Sequence, residues 1–292
     1  MARHQFPSRL YEPIGLVLAA SLLAASAGGF DQPMITLNHF YVTVDPDTYR
    51  QIVGSEFLKN EFAPFETRTT VRTDSTYTGA YFYGRNTYFE FFAADAAHAL
   101  GASGLALGTE AAGEAAKTGH GADLITRQTG GRMLPWFYQA ARRNLADGLL
   151  SIWLMEYHPD FLRQWNAGLT TVESSLRRAE VLDRYVAAIG KSSMRDRALL
   201  KDVIALDIAV PPPALDEAGA HLGGLCPGCR RTPRGLECSV EGTTIRMVAS
   251  GEAGGITRAV FSLQGKPQER REYRFGSRSR LSFKQTEATW DF

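Results

Sequence analysis

The sequence predicts an α+β fold in which paired β-α-β-β-β modules form a curved mixed sheet around a cleft, followed by a third, partial module at the C-terminus. Two patterns predict this fold. Short apolar segments alternate with a period of two residues, as strands do, and segments with helical spacing separate them. The same order of elements occurs twice between residues 36 and 157, which indicates a duplicated fold.

Composition narrows the possible partners. The chain has 292 residues, of which 44% are hydrophobic, and a net charge of +1. This length suits one large or two ordinary domains with real cores. The near-neutral charge gives no electrostatic reason to bind nucleic acid or an anionic membrane. We therefore expect a small-molecule ligand and no nucleic acid.

The N-terminus has the three parts of a secretory signal peptide, predicted at residues 1–27. Arg3, His4 and Arg9 precede an apolar run, residues 14–27, that closes on Ala25-Ser26-Ala27. We expect cleavage near Ala27 and export to the periplasm or the medium. A membrane anchor is the alternative, although the run is short for a bilayer span. Membrane contact is expected only through the uncleaved signal.

The first predicted module begins at a strand over residues 36–44. Asp45-Pro46-Asp47 then caps a helix over residues 48–65. Three strands follow, at residues 67–73, 77–83 and 87–92.

The second predicted module repeats this order more weakly. Its elements are a strand at 104–107, a short helix at 109–117, and strands at 122–126, 134–140 and 149–157. Together the two modules make one predicted domain of paired β-α-β-β-β units over residues 30–160.

The remaining chain is predicted to contain a helical connector, residues 161–195, and a C-terminal half-module, residues 196–292. The connector carries an amphipathic helix at 172–189. The half-module has a helix at 215–222 and strands at 203–210, 243–249, 256–263, 273–275 and 281–283. An incomplete sheet exposes an edge, so a homo-oligomer or another interaction role is a further hypothesis.

Three ionisable residues, His39, Glu90 and Glu156, interrupt strongly apolar strands. A buried charge without a partner costs several kcal/mol, so something is expected to pair with them. Strand alternation places each on one face, with an opposite apolar face suited to packing under a helix. One imidazole and two carboxylates from three strands suit an oxygen-rich metal site.

These residues carry a resemblance to the vicinal oxygen chelate superfamily of glyoxalases, extradiol dioxygenases and bleomycin-resistance proteins. The chain also resembles an uncharacterised family of exported bacterial proteins within or near that superfamily. The similar segments are Leu37-Asn38-His39-Phe40-Tyr41-Val42, Phe65-Glu66-Thr67-Arg68-Thr69-Thr70, Tyr83-Gly84-Arg85 and Met155-Glu156-Tyr157-His158-Pro159.

The resemblance implies metal ligands at His39, Glu90 and Glu156, with Glu90 and Glu156 as the catalytic carboxylates. The fourth ligand position falls on Gly104, which has no donor, and His158 is a candidate for the missing nitrogen. A divalent Mn, Fe, Zn or Ni ion at such a site acts as a Lewis acid on a molecule with adjacent oxygens. The implied function is a metal-dependent lyase, isomerase or oxygenase.

Two alternatives stay open. Glu90 and Glu156 can form structural ion pairs with Arg68, Arg72 or Arg85. The protein can also be a non-catalytic binding or sequestering protein of the bleomycin-resistance type, with a metal-free cleft. The residues expected to line the cleft are Tyr41, Tyr88, Trp136 and His158.

The three cysteines form a Cys226-Pro227-Gly228-Cys229 motif with Cys238 nearby. A zinc site needs four ligands. In an oxidising compartment one disulfide and one leftover thiol are expected. The expected pairing is Cys226 or Cys229 with Cys238.

Overall fold

The structure is a computed structural model that describes Met1 and residues 34–95, 98–163, 177–251, 254–266 and 272–292. Residues 33–292 form one compact unit. The signal peptide predicted at residues 1–27 lies, apart from Met1, outside the described residues and stays a prediction. Within the described part of the chain, no helix has the length and apolarity needed to cross a membrane.

The first module contains β1 (Thr36–Val44), α1 (Pro46–Gly54), β2 (Phe65–Val71), β3 (Thr76–Tyr83) and β4 (Tyr88–Ala93). The Asp45 carboxylate caps α1 by accepting hydrogen bonds from the backbone N–H groups of Asp47 and Thr48. The single helix predicted at 48–65 is divided, because Ser55 is extended and a π-helical turn, Leu58–Phe62, follows.

The second module contains β5 (Ser103–Gly108), α2 (Glu114–Lys117), β6 (Ala122–Thr129), β7 (Arg132–Leu145) and β8 (Leu150–Tyr157). The eight strands of the two modules form one sheet in the order β2-β3-β4-β1-β5-β8-β7-β6. β1 pairs parallel to β4 and antiparallel to β5, which joins the modules.

The N-terminal sheet curls until its two outer strands meet. Arg72 and Arg127 form an isolated antiparallel bridge, and the Thr73 backbone N–H donates to the Thr126 carbonyl at 3.1 Å. The predicted curved mixed sheet is thus confirmed.

The connecting region contains α3 (Pro159–Arg163), α4 (Arg178–Ala188) and α5 (Ser192–Arg195). Residues 172–176 of the helix predicted at 172–189 lie outside the described residues. Val181, Leu182, Tyr185 and Val186 of α4 pack in the same buried cluster as Tyr81, Tyr88 and Trp153. The helix therefore fills part of the concave face of the sheet.

The C-terminal sheet is larger than the predicted half-module. Its elements are β9 (Leu200–Val210), α6 (Pro212–Leu225), β10 (Cys229–Thr232), β11 (Gly235–Val240), β12 (Thr243–Ala249), β13 (Gly255–Leu263), β14 (Glu272–Phe275), β15 (Ser279–Lys284) and β16 (Glu287–Asp291). The eight strands are ordered β10-β11-β12-β9-β13-β16-β15-β14, as in the first sheet.

The predicted C-terminal α+β module is confirmed as a second sheet, and the prediction omitted three of its strands, β10, β11 and β16. β10 and β16 are only four and five residues long. β11 does alternate, since Leu236, Cys238 and Val240 are buried. Cys238 was considered only as a disulfide or metal-binding residue, and its place in this alternation was overlooked.

The two sheets pack directly on each other. The Phe89 ring lies 5.1 Å from that of Phe261, and the Phe91 ring lies 4.8 Å from that of Trp290, measured between centroids. The apolar face of β4, expected under a helix, therefore packs against the second sheet. This shared core fixes the convex side of the N-terminal sheet and leaves its concave side for a site.

A disulfide joins Cys229 to Cys238 across the paired strands β10 and β11. This is one of the two expected pairings. Cys226 keeps a buried thiol, and burial raises its pKa to about 12.

Candidate functional site

A β-bulge in β1 turns His39 toward the concave face. The register with β5 shifts between Leu37 and His39. Leu37 and Phe40 therefore both lie in the core shared by the two sheets. Strict alternation along residues 36–44 would put Leu37 and His39 on the same face, and the bulge places them on opposite faces.

His39 and Glu90 meet on this face. His39 Nε2 lies 3.7 Å from Glu90 Oε1, and the two residues are only 7% and 5% exposed. The Tyr88 ring stacks on the imidazole at a centroid distance of 4.5 Å, and the Trp153 ring meets it edge-on at 5.5 Å. Two of the three predicted metal ligands are thus adjacent and almost completely shielded from solvent.

Asn38 determines which ring nitrogen of His39 carries the proton. His39 Nδ1 lies 3.0 Å from Asn38 Oδ1, and the Asn38 side chain also hydrogen-bonds the Tyr157 phenol. A carbonyl oxygen only accepts, so Nδ1 carries the proton and Nε2 keeps a lone pair. Burial, together with the charge of Arg72, lowers the pKa of His39 to about 3. The imidazole is therefore neutral near pH 7.

Burial has the opposite effect on Glu90, whose pKa it raises to about 7. The charges of Arg68 and Arg72 and hydrogen bonds from Tyr81 and Tyr88 limit this rise. Both forms of the carboxyl group are accordingly populated at neutral pH.

The arginines proposed as ion-pair partners are engaged elsewhere. Arg68 pairs with Glu66, Arg72 with Asp74 and Arg85 with Asp196, each at 2.8 Å. Among the described residues, Glu90 and Glu156 form no ion pair with an arginine. The predicted structural pairing is therefore not the arrangement observed.

Two aromatic rings occupy the space beside Gly104, the predicted fourth ligand position. A Cβ at Gly104 would lie 2.1 Å from Tyr41 Cε1 and 2.8 Å from Trp153 Cζ3. Such contacts are far below van der Waals distance. Glycine is required here because the Tyr41 and Trp153 rings fill the place of a ligand side chain.

A cavity of about 430 Å³ opens beside the His39–Glu90 pair. Its aromatic lining comprises Tyr41, Tyr77, Phe92 and Trp153, and its polar lining includes Arg72, Gln139, Arg142 and Ser151. Trp153 Nε1 is buried without a hydrogen-bond partner among the described residues. The cavity thus combines aromatic rings with polar and charged side chains.

Glu156 does not join this pair. Its Oε1 accepts the Gly113 N–H at 2.7 Å and its Oε2 accepts the Ala115 N–H at 2.8 Å. The carboxylate therefore caps the start of α2. On β8, Trp153, Met155 and Tyr157 pack on the concave side, whereas Ile152 and Leu154 lie in the core between the sheets.

The assignment of Glu156 to the cleft was wrong because β8 is buried on both faces. All eight of its residues are buried. Period-two alternation identifies which residues share a face, but it does not identify which face lines the cleft.

The other predicted lining residues divide between several places. Tyr41 lines the cavity, and Tyr88 lies against His39. Trp136 donates to the Tyr185 hydroxyl at 3.2 Å inside the aromatic packing. His158 and Glu156 line a different cavity of about 640 Å³ near α2, and His158 Nδ1 accepts the Asp160 N–H.

Sequence reasoning missed Gln139, Arg142 and Ser151. β7 and β8 lose register between Ala140 and Arg143, and Ala141 has a φ of 50°. This irregularity interrupts the alternation at Arg142. Ser151 shares the face of Trp153 on β8, and it was missed because that face was not identified as the one that lines the cleft.

The described residues do not fit the implied metal site. In the described ranges no group of three or more His, Cys, Asp and Glu side chains is arranged to hold a metal ion. His39 and Glu90 supply two donors, while Glu156 is committed to α2. The described residues therefore give no basis for a metal-dependent reaction at this site.

Comparisons with known proteins identify a family but no activity. The model of a family of unknown function, DUF5829, matches residues 37–292. No curated protein matches the chain. A hypothetical protein from Staphylococcus aureus is similar at 7% identity with a TM-score of 0.45, over 74% of this chain and 86% of its own.

A second similar structure is a xylose isomerase-like TIM barrel/4-hydroxyphenylpyruvate dioxygenase fusion protein. It has 12% identity and a TM-score of 0.42, over 80% of this chain and 37% of its own. TM-scores this low do not establish a shared fold.

Proposed function

We propose that the chain, which belongs to the DUF5829 family of unknown function, binds a small aromatic molecule on the concave face of its N-terminal sheet. The observation that carries the proposal is the cavity of about 430 Å³ beside the buried His39–Glu90 pair. Binding there needs no metal ion. This function corresponds to the non-catalytic binding or sequestering protein that the sequence analysis kept as an alternative to the enzyme.

The packing around the cavity supports binding. Tyr41 and Trp153 lie beside Gly104, the position where the resemblance implies a metal-ligating side chain. Their rings supply flat apolar surface. Burial of such surface by an aromatic ligand is favourable by about 25 cal/mol per Å². His39 and Glu90 supply fixed, buried polar groups of the kind that give a pocket its specificity.

The strand order supports a relation to the vicinal oxygen chelate superfamily. Each sheet joins two modules in the same sequence of strands, and the first sheet curls around the site. Membership in that superfamily is part of the proposal.

The metal-dependent enzyme finds less support in the geometry. It needs Glu156 beside His39 and Glu90, and Glu156 caps α2 instead. A metal-dependent reaction would require further donors from the ligand or the solvent.

Thermal unfolding with three phenyl compounds tests the proposal. The probes are 2-phenylethylamine, 2-phenylethanol and 3-phenylpropanoate, which share an aromatic ring and differ in the polar group. At least one should raise the melting temperature by mass action. Ser151→Phe, which fills the cavity, should abolish the rise.

Ser239→Phe is the matched control, because Ser239 is exposed on β11 and outside the cavity. It should leave the rise intact. If no probe raises the melting temperature, or if Ser151→Phe responds as the wild type does, the proposed function is wrong.

A further inference from the structure

When Glu90 is ionised, two hydrogen-bond acceptors face each other inside the cavity without a donor between them. The lone pair of His39 Nε2 and the Glu90 carboxylate are separated by 3.7 Å. Because Asn38 holds the proton of His39 on Nδ1, the imidazole cannot donate to the ionised carboxylate. A group with two or more N–H or O–H bonds satisfies both acceptors at once.

The rings around this pair favour a positively charged donor. The Tyr88 ring stacks on His39, and Tyr41, Tyr77, Phe92 and Trp153 line the same cavity. The face of an aromatic ring attracts an ammonium group, and the attraction grows when the group is desolvated.

The arginines near the pair have carboxylate partners that offset part of their charge, and Arg68 pairs with Glu66 at 2.8 Å. Arg72 donates two hydrogen bonds to Asp74, each of 2.8 Å, which neutralise its charge locally. Arg142 has no ion pair with the described residues, but it is exposed and screened by solvent. The ionised carboxylate of Glu90 is the buried anionic group that faces His39.

We propose, on the basis of the proposed binding function, that the natural ligand is an arylalkylamine, with its amine on an alkyl chain, whose ammonium group bridges His39 Nε2 and the Glu90 carboxylate from the cavity side. The ammonium N–H groups donate to both acceptors, and the aromatic part lies among the rings of the cavity. No covalent step is involved.

Calorimetric titration with the three phenyl probes tests this assignment. For the wild type, 2-phenylethylamine should bind about tenfold more tightly than 2-phenylethanol, because a charge-assisted hydrogen bond is stronger than a neutral one. Glu90→Gln should reduce this preference to less than about twofold, since it removes the charge and keeps the shape.

Glu156→Gln is the matched control. It makes the same change at a buried carboxylate of the same sheet that bonds α2 instead of the cavity. Its preference for the amine should equal that of the wild type.

The outcomes separate the two proposals. If 2-phenylethanol or 3-phenylpropanoate binds as tightly as the amine, or if Glu90→Gln keeps the preference, the ammonium assignment is overturned while binding in the cavity stands. If none of the three binds, the proposed function falls with it.

Discussion

At the scale of single residues, the site is defined by Gly104 and by the pair His39 and Glu90. The superfamily resemblance placed a ligand at Gly104, and the structure places two aromatic rings against it. The residues that remain, one imidazole and one carboxyl group, are buried and have shifted pKa values. Such groups inside a cavity are typical of functional sites.

Gly104→Ala should be strongly destabilising for a one-carbon change. The added Cβ would overlap Tyr41 and Trp153, and overpacking of this kind costs about 1–3 kcal/mol. Chemical denaturation measures the loss. Gly223→Ala, in α6 with open space around it, should be neutral or slightly stabilising. Equal effects of the two changes would contradict the account of Gly104.

Glu90 should make stability depend on pH. Its folded-state pKa of about 7 lies above the ordinary value of 4.5. The stability it contributes is therefore fully present below about pH 4.5 and lost as pH rises through 7. This loss amounts to about 3 kcal/mol.

Glu90→Gln stays neutral and lacks this dependence. The free energy of unfolding of the variant minus that of the wild type should therefore rise between pH 4.5 and 8. His39 is present in both proteins, so its own titration largely cancels in the difference. A difference that stays constant with pH would mean that Glu90 is ionised throughout, as an ion pair or a bound metal ion would make it.

At the scale of elements, β8 and α2 explain why the predicted three-residue site is not assembled. β8 is buried on both faces, and the side chains of its two faces contact different parts of the molecule. One set lines the concave face, and Glu156 on the other face binds the start of a four-residue helix. Isolated helices this short are unstable, so α2 depends on that carboxylate.

Glu156→Gln should weaken α2 and leave the cavity unchanged. The amide keeps one acceptor oxygen for two backbone N–H groups, so one N–H loses its partner at a cost of about 1–2 kcal/mol. Amide hydrogen exchange of residues 113–117 should accelerate. Loss of probe binding in this variant would contradict the separation of Glu156 from the site.

The elements also show what the sequence can predict. β1 lies at the predicted residues 36–44, since its alternation and the Asp45 cap are local signals. The bulge at Asn38 and the orientation of β8 are set by pairing with β5, a long-range property. Alternation places Ser151 on the face of Trp153, but which face of β8 lines the cavity depends on those pairings, and Arg142 follows an irregularity in β7.

At the scale of the whole molecule, two eight-stranded sheets share one core. Trp290 of β16 is fully buried and contacts Phe82, Phe89 and Phe91 of the first sheet. Asp202 at β9 accepts hydrogen bonds from the backbone N–H groups of Asn86 and Thr87. The C-terminal sheet therefore supports the strands that carry Glu90.

The two sheets should unfold together. Trp290→Ala removes a large side chain from the shared core and should cost about 3–5 kcal/mol. Urea transitions followed by circular dichroism and by tryptophan fluorescence should coincide in the wild type. Two separated transitions, with probe binding kept after the first, would show that the sheets are independent.

The central claim is that the concave cavity binds an aromatic molecule without a metal ion. Calorimetric titration of 2-phenylethylamine into the wild-type protein, before and after EDTA treatment, tests it most directly. The account predicts saturable binding of one molecule per chain with the same affinity in both titrations. Binding that EDTA abolishes and that added Mn, Fe, Zn or Ni restores would contradict it.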